Sequence, residues 1–403
     1  MWEKGIDINE VREIRTRTNT FFGVGAIQKT GEIAASLKGQ GIDHVLVVTG
    51  RGSYKSCGAW DVVTRELQAH NIGWELYDKV TPNPTADQVD DAAELGRKSG
   101  AGAVIAIGGG SPIDAGKSAA ILLKYPDKTA RDIYEFTFAP AAAVPIVAIN
   151  ITHGTGTEVN RFAVVTIPEK EYKPAIAYDC IYPTWSIDDP ALTAGLSPNQ
   201  TRYVSIDAVN HVIEAATTIA ASPYSVMLGK ETIRLVAKYL PLALQDPSDL
   251  EARYFLMYAA MLAGVAFDNG LLHYTHALEH PLSAVRPELS HGLGLAILLP
   301  AVVENIYARS PEVLADLLSG PVPGLKGEAG EAKTAAAGVE KWLFSLDVTS
   351  KLKDEGFSEG DIPKLIELTF STPSLSGLLE LAPTLATKEV VEQIYRDSMQ
   401  PMN

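Results

Sequence analysis

Residues 103–117 read AVIAIGGGSPIDAGK. An unbroken apolar run meets three glycines, and a helical stretch opens directly behind them. Such a run suits a strand buried on both faces of a parallel sheet. Gly108, Gly109 and Gly110 carry no Cβ, so a phosphate can approach backbone N–H groups at the positive end of the following helix. Ser111 is expected as the N-cap, Pro112 at the first helical position and Asp114 as the capping-box acid. The stretch lacks both G-x-G-x-x-G and G-K-[ST], so it reads as a dinucleotide or phosphate site by mechanism alone. A tight strand–helix turn with no ligand would have the same sequence features.

A second cradle lies downstream. Residues 152–158, THGTGTE, follow the apolar run 145–149 and supply two glycines and three hydroxyls. Two such loops behind two strands fit a ligand lying across the carboxyl ends of a parallel sheet. Further strands are expected at 44–49 (HVLVVT) and 74–77, with helices over 26–37, 54–69 and 87–98 between them. Strand and helix in alternation predict a doubly wound, Rossmann-like α/β domain. Beyond about Pro190 the strand pattern stops. Ala/Leu-rich stretches at helical spacing take over at 198–219, 225–244, 250–267 and 291–308. Residues 186–200, SIDDPALTAGLSPNQ, mark the boundary, giving an α/β domain over 1–190 and an all-helical domain over 191–403.

The helical half carries the second chemical signal. Asp207 and His211 stand at i,i+4 and share one helix face. Residues 271–294, LLHYTHALEHPLSAVRPELSHGLG, hold four of the eight histidines, with His276 and His280 again at i,i+4 and His291 beyond. One carboxylate and several imidazoles suit a divalent first-row ion such as Fe, Zn, Co or Ni. A single D-x-x-x-H pair is more often a structural feature. Joined to the second pair and a His-Gly, it points to a metal.

Composition narrows the class. Across 403 residues, 34 Lys+Arg against 49 Asp+Glu give a net charge of −15, which argues against a nucleic-acid or anionic-membrane surface. Cys57 and Cys180 are the two cysteines, so no disulfide framework is expected. The charged N-terminus lacks a signal-peptide core, and no uninterrupted apolar run reaches the roughly 20 residues of a membrane helix. A cytoplasmic protein is expected.

Taken in order, these residues resemble the iron-containing, metal-dependent alcohol dehydrogenase family over nearly the whole chain. The landmarks are Pro82-Asn83-Pro84-Thr85, Gly108 to Ser111 with Asp114 and Lys117, Gly154-Thr155-Gly156-Thr157-Glu158, and Asp207, His211 and Glu214. Phe267, Asn269, His276, His280-Pro281-Leu282 and His291-Gly292 complete them. The resemblance implies a dehydroquinate synthase-like pair of domains with a cleft between them. It implies Asp207, His211, His276 and His291 as ligands of Fe2+, with Zn2+ or another divalent ion as substitutes. His280 would line the nicotinamide and substrate pocket as a proton relay, and Glu214 would support a ligand from behind. Gly50, Arg51, Ser53, Asn83, Gly108, Gly109, Gly110, Ser111, Asp114, Thr152, Thr155 and Lys173 would frame the cofactor. Phe267, Asn160 and Arg161 would face the substrate.

Three departures stand out. Asn150-Ile151-Thr152-His153 replaces the family's usual Pro-Thr-Thr-Ala. The stretch from His280 to His291 is one residue longer and contains Arg286. Gly50-Arg51-Gly52-Ser53 stands where NAD-using members often carry an acid, which leans the cofactor from NAD(H) to NADP(H). The implied activity is reversible oxidation of a small primary alcohol to its aldehyde by hydride transfer, with the substrate oxygen on the metal. Alternatives are a reductase of a small anionic carbonyl compound, of maleylacetate or sulfo-aldehyde type, a glycerol dehydrogenase-like enzyme, or a non-catalytic nucleotide-binding protein. A homodimer or higher homo-oligomer is expected.

Overall fold

The computed structural model describes residues 2–6 and 8–402. Its centre is a six-stranded, fully parallel sheet in the order β1-β8-β5-β4-β2-β3. The strands are β1 (Asn19–Phe22), β2 (His44–Gly50), β3 (Gly73–Val80), β4 (Ala103–Gly108), β5 (Ile146–Asn150) and β8 (Trp185–Asp188). A short antiparallel pair, β6 (Phe162–Val164) with β7 (Ala175–Ala177), stands apart from it.

The reason β2, β4 and β5 read as continuous apolar runs is visible in their alternation. Val45 and Val47 join Ile33, Leu37, Val63 and Leu67 on one face. Leu46 and Val48 join Val89, Ala115 and Ala119 on the other. Both faces are covered by helices, so neither parity can be polar. The chain passes from β3 at one edge to β4 on the far side of β2. That reversal opens a crevice at the carboxyl ends of β2 and β4, the place where open α/β sheets bind ligands.

The second half is a stack of helices, among them Pro198–Ala215, Pro223–Gln245, Leu250–Gly270, Tyr274–Val285 and His291–Tyr307. They share one large apolar core running from Ile206 to Met399. The sheet's last strand ends at Asp188 and the first long helix starts at Pro198. Where the halves meet, Gly156 (φ +60°) and Gly264 stand back to back. A Cβ on Gly156 would lie 2.4 Å from Gly264 Cα, so only glycine lets the 152–158 loop touch the Leu250–Gly270 helix.

Several local expectations need correction. The stretch 54–69 is two helices, Ser53–Ser56 and Ala59–Ala69, because Gly58 takes a left-handed φ of 86° between them. The edge strand β1 and strand β8 carried no readable pattern at four residues each. The Leu250–Gly270 helix has the length and mean hydropathy (1.3) of a membrane span. It packs as a core helix, with Arg253 fully buried and donating to Thr201 Oγ1 at 2.9 Å.

Candidate active site

Three helices deliver the acid and the imidazoles to one point. Pro198–Ala215 presents Asp207, His211 and Glu214 along one buried face, starting from a Ser197 cap that accepts from Gln200 N. Tyr274–Val285 presents His276, Glu279 and His280. His291 is the first residue of its own helix.

Asp207, His276 and His291 place donor atoms within 4.8 Å of one another. From Asp207 Oδ1, His276 Nε2 is 3.6 Å away and His291 Nε2 is 3.9 Å away. His211 Nδ1 lies 3.5 Å from the same oxygen, but His211 stands outside that three-residue group. Its ring is stacked between His276 (centroids 4.6 Å) and Phe267 (4.5 Å). Asp207 Oδ1, His211 Nδ1 and His276 Nε2 are all buried with no hydrogen-bond partner. Buried polar atoms are rarely left unpaired, and one divalent ion at their meeting point would satisfy all three. The donor set therefore fits a metal.

The electrostatics agree with that fit. Burial pushes the Asp207 carboxyl up, but His211, His276 and His291 outweigh it and hold the group down at about 2. Burial pushes His211 down to about 3. His276 is lowered by burial but raised by Glu214 and Asp207, and the net result is about 9. Glu214 is fully buried and anchors His276. One of its oxygens takes the ring Nδ1, and the other accepts from the backbone N–H groups of His273 (3.3 Å), Thr275 (2.5 Å) and His276 (3.3 Å). A carboxylate can only accept, so Nδ1 keeps its proton, and Nε2 is the nitrogen left to ligate once an ion displaces the second proton that Asp207 and Glu214 stabilise. His273 is structural: its Nδ1 accepts from Tyr274 N at 2.7 Å and its Nε2 meets Thr217 Oγ1 at 2.9 Å.

His280 is buried, and its Nδ1 bonds the Lys173 carbonyl at 2.7 Å. That oxygen cannot donate, which fixes the proton on Nδ1 and leaves Nε2 as an acceptor. Burial, with Lys173 nearby, pushes this imidazole well below its ordinary range, so it is neutral.

On the sheet side, the glycine turn packs directly on the second loop. A Cβ on Gly109 would stand 2.8 Å from Thr152 Cγ2, and one on Gly110 would stand 2.7 Å from Thr155 Cγ2. The two cradles are therefore neighbours, with Thr152 held by Asn150 Oδ1 (3.0 Å from its N). Gly50, Arg51 and Ser53 lie at the tip of β2, where Arg51 and Ser53 are exposed.

Other expected residues sit elsewhere. The N-cap of the Gly110–Lys124 helix is Gly109, so Ser111 lies inside the first turn and no side chain caps the end. Asp114 points away from the turn: its oxygens accept from Thr157 Oγ1 (2.7 Å) and Val164 N (2.9 Å). Lys117 is fully buried and binds the carbonyls of Thr157, Asn160 and Phe162 at 2.6–2.9 Å, stapling the loop rather than facing a ligand. Asn160 spends its amide on Gly156 O and Phe162 N, so it does not line a pocket. Arg161 is tied to Asp268 (3.2 Å) and Asp179 (3.3 Å). Asn83 donates to Pro287 O at 3.0 Å, bridging to the loop before His291.

Lys173, expected among the residues that frame the cofactor, has its ammonium beside the histidine cluster, 2.7 Å from Ser283 Oγ and 3.3 Å from Glu279 Oε2. Glu279, fully buried and bonded to His291 Nδ1, had no place in the sequence reading. Its one sequence signal is an acid between two site histidines in H-A-L-E-H, residues 276–280.

Comparison with known proteins gives a consistent picture. Residues 17–190 match the model for iron-containing alcohol dehydrogenase, and residues 201–399 match that for the C-terminal part of the Fe-containing alcohol dehydrogenase family. A long-chain primary alcohol dehydrogenase of Thermoanaerobacter ethanolicus is 59% identical, over 99% of this chain and 100% of its own. A 1,3-propanediol dehydrogenase of Klebsiella pneumoniae is 32% identical, over 90% of this chain and 95% of its own. Among solved structures, an NADH-dependent butanol dehydrogenase of Thermotoga maritima superposes with a TM-score of 0.88 at 29% identity, covering 97% of this chain and 99% of that one.

Proposed function

This chain belongs to the iron-containing alcohol dehydrogenase family, and from that premise we propose how its residues divide the work of oxidising a primary alcohol to an aldehyde, and the reverse. It is a metal-dependent alcohol dehydrogenase that uses iron and a nicotinamide cofactor. The observation that carries the site assignment is the trio of orphaned, buried donor atoms on Asp207, His211 and His276.

Asp207, His276 and His291 would hold the ion, with His211, whose Nδ1 lies 3.5 Å from Asp207 Oδ1, as the fourth ligand. When bound, the divalent ion supplies Lewis-acid polarisation of the alcohol or carbonyl oxygen. A bound nicotinamide cofactor would supply the hydride acceptor or donor, and Gly108–Ser111 with Thr152–Thr155 would hold its phosphates. Glu214 keeps His276 in the ligating tautomer. Phe267, stacked on His211, closes one side of the cluster to water. Neutral His280 accepts the alcohol proton at Nε2, since its Nδ1–H is already given to Lys173 O. Residues 1–190 form the nucleotide domain and 191–403 the metal domain.

Arg51 at the tip of β2, in a Gly50–Ser53 turn whose sequence holds no acid, supports NADP(H) over NAD(H). The 59% identical relative supports a primary alcohol and extends the candidate range to longer chains. Arg161 is engaged by two aspartates, which disfavours the anionic-carbonyl reading. The free thiols of Cys57 and Cys180 support a reducing, cytoplasmic setting.

A panel of primary alcohols of increasing length, with glycerol and an anionic aldehyde, tests this on iron-loaded protein with NADP+ and NAD+. The expected result is highest kcat/KM for a primary alcohol with NADP+, and an Arg51→Ala enzyme in which that cofactor preference falls. Preference for the anionic aldehyde, or an unchanged cofactor ratio in Arg51→Ala, would overturn the respective assignment.

A further inference from the structure

We propose that Glu279, held in place by Lys173 and given room by Gly294, is the positioning residue that turns His291 toward the ion. The inference rests on the metal-site reading above and adds three residues to it.

His291 needs such a device. It is the first residue of its helix, and its side chain is 27% exposed, against 3–6% for Asp207, His211 and His276. Glu279 holds its ring. Its Oε2 accepts from His291 Nδ1, which directs the Nε2 lone pair to the side where Asp207 Oδ1 lies, at 3.9 Å. This repeats on His291 what Glu214 does for His276, from a different helix.

Lys173 completes the arrangement. It reaches in from the segment just before β7, and its ammonium lies 3.3 Å from Glu279 Oε2 and 3.4 Å from His291 Nδ1. It also donates to Ser283 Oγ at 2.7 Å. Glu279, His280 and His291 themselves form a three-residue group of metal-ligand spacing. Lys173 already brings a positive charge there, so the carboxylate serves as partner to a cation and an N–H rather than as a second metal site. Gly294, three residues beyond His291 on the same helix, explains how a glutamate fits. A Cβ on it would lie 2.8 Å from Glu279 Cγ and 3.1 Å from Oε1. The glycine on one helix and the acid on the other are a matched pair.

The test measures cobalt(II) affinity by chelator competition, and the cobalt absorption spectrum, for wild type, Glu279→Gln, Glu279→Ala, Gly294→Ala and the Glu279→Ala/Gly294→Ala double variant. Glu279→Ala should lose about 10- to 100-fold in affinity, the range for removing a carboxylate behind a ligating histidine. Its cobalt spectrum should change, and Glu279→Gln should fall between it and wild type because the amide oxygen still accepts. Gly294→Ala should weaken binding in the wild-type background and have no further effect once Glu279 is alanine. Wild-type affinity and spectrum in Glu279→Ala would overturn the proposal. So would an equal Gly294→Ala effect in both backgrounds, which also covers the case where one variant folds poorly. If wild type itself binds no cobalt, the metal reading fails, an outcome separate from failure of the Glu279 claim.

Discussion

Replacing Glu214 by glutamine changes one atom's chemistry at the back of the site and tests how the ligand tautomer is set. In the native protein one carboxylate oxygen takes the His276 Nδ1–H and the other accepts three backbone N–H groups of residues 273–276. An amide has one oxygen. If that oxygen stays on the three N–H groups, the amide N–H faces His276 Nδ1, which must then accept. The ring proton moves to Nε2, the atom needed for the metal. If the amide turns over, its N–H groups confront the three backbone donors. Either way a buried hydrogen bond is lost or a donor is left unsatisfied, at about 1–3 kcal/mol. At about 1.4 kcal/mol per tenfold, this predicts about 5- to 140-fold weaker metal binding. Chelator competition on the purified Glu214→Gln protein measures it, with circular dichroism confirming that the helices persist. Metal affinity equal to wild type would refute the tautomer argument, because both amide orientations would then be cost-free.

Proton competition and loop packing give two further tests. His276 is raised from 6.5 to about 9 when no ion is present, mainly by Glu214 and Asp207 acting against burial. Metal must displace that proton, so apparent affinity should climb about tenfold per pH unit from neutrality and lose this slope near pH 9. In metal-free protein the same group adds stability that is complete below pH 6.5 and is lost as pH rises through about 9. Isothermal titration and urea denaturation across that window check the two signs. On the sheet side, Gly110→Val should raise KM for the nicotinamide while leaving metal affinity intact. Any Cβ there begins 2.7 Å from Thr155 Cγ2 and displaces the cradle, and a fall in metal binding instead would place the turn in the wrong half of the site.

The parts legible in the sequence are those set by local periodicity. Strands β2, β4 and β5 announced themselves because both faces are covered, leaving no polar alternation to blur the run. Asp207 and His211, or His276 and His280, share a helix face by spacing alone. What stayed hidden depends on contacts between distant residues. Lys173 meets Glu279 across 106 positions and Ser283 across 110. Nothing near Lys173 in the chain separates that role from cofactor binding. Asp114 sat at a plausible capping position, yet its carboxylate is taken by Thr157 and Val164, more than 40 residues away. The glycines were legible as a site of close approach. That Thr152 and Thr155 are among the groups approaching was not.

The most direct test of the account combines metal content and activity in His276→Ala. Wild-type protein loaded anaerobically with iron should retain the ion through gel filtration and reduce the nicotinamide when a primary alcohol is added. His276→Ala should lose both together while keeping its helical content. An enzyme with that substitution that still oxidises alcohol at the wild-type rate, or that works equally well after chelation, would contradict the assignment of Asp207, His276 and His291 as the catalytic metal centre.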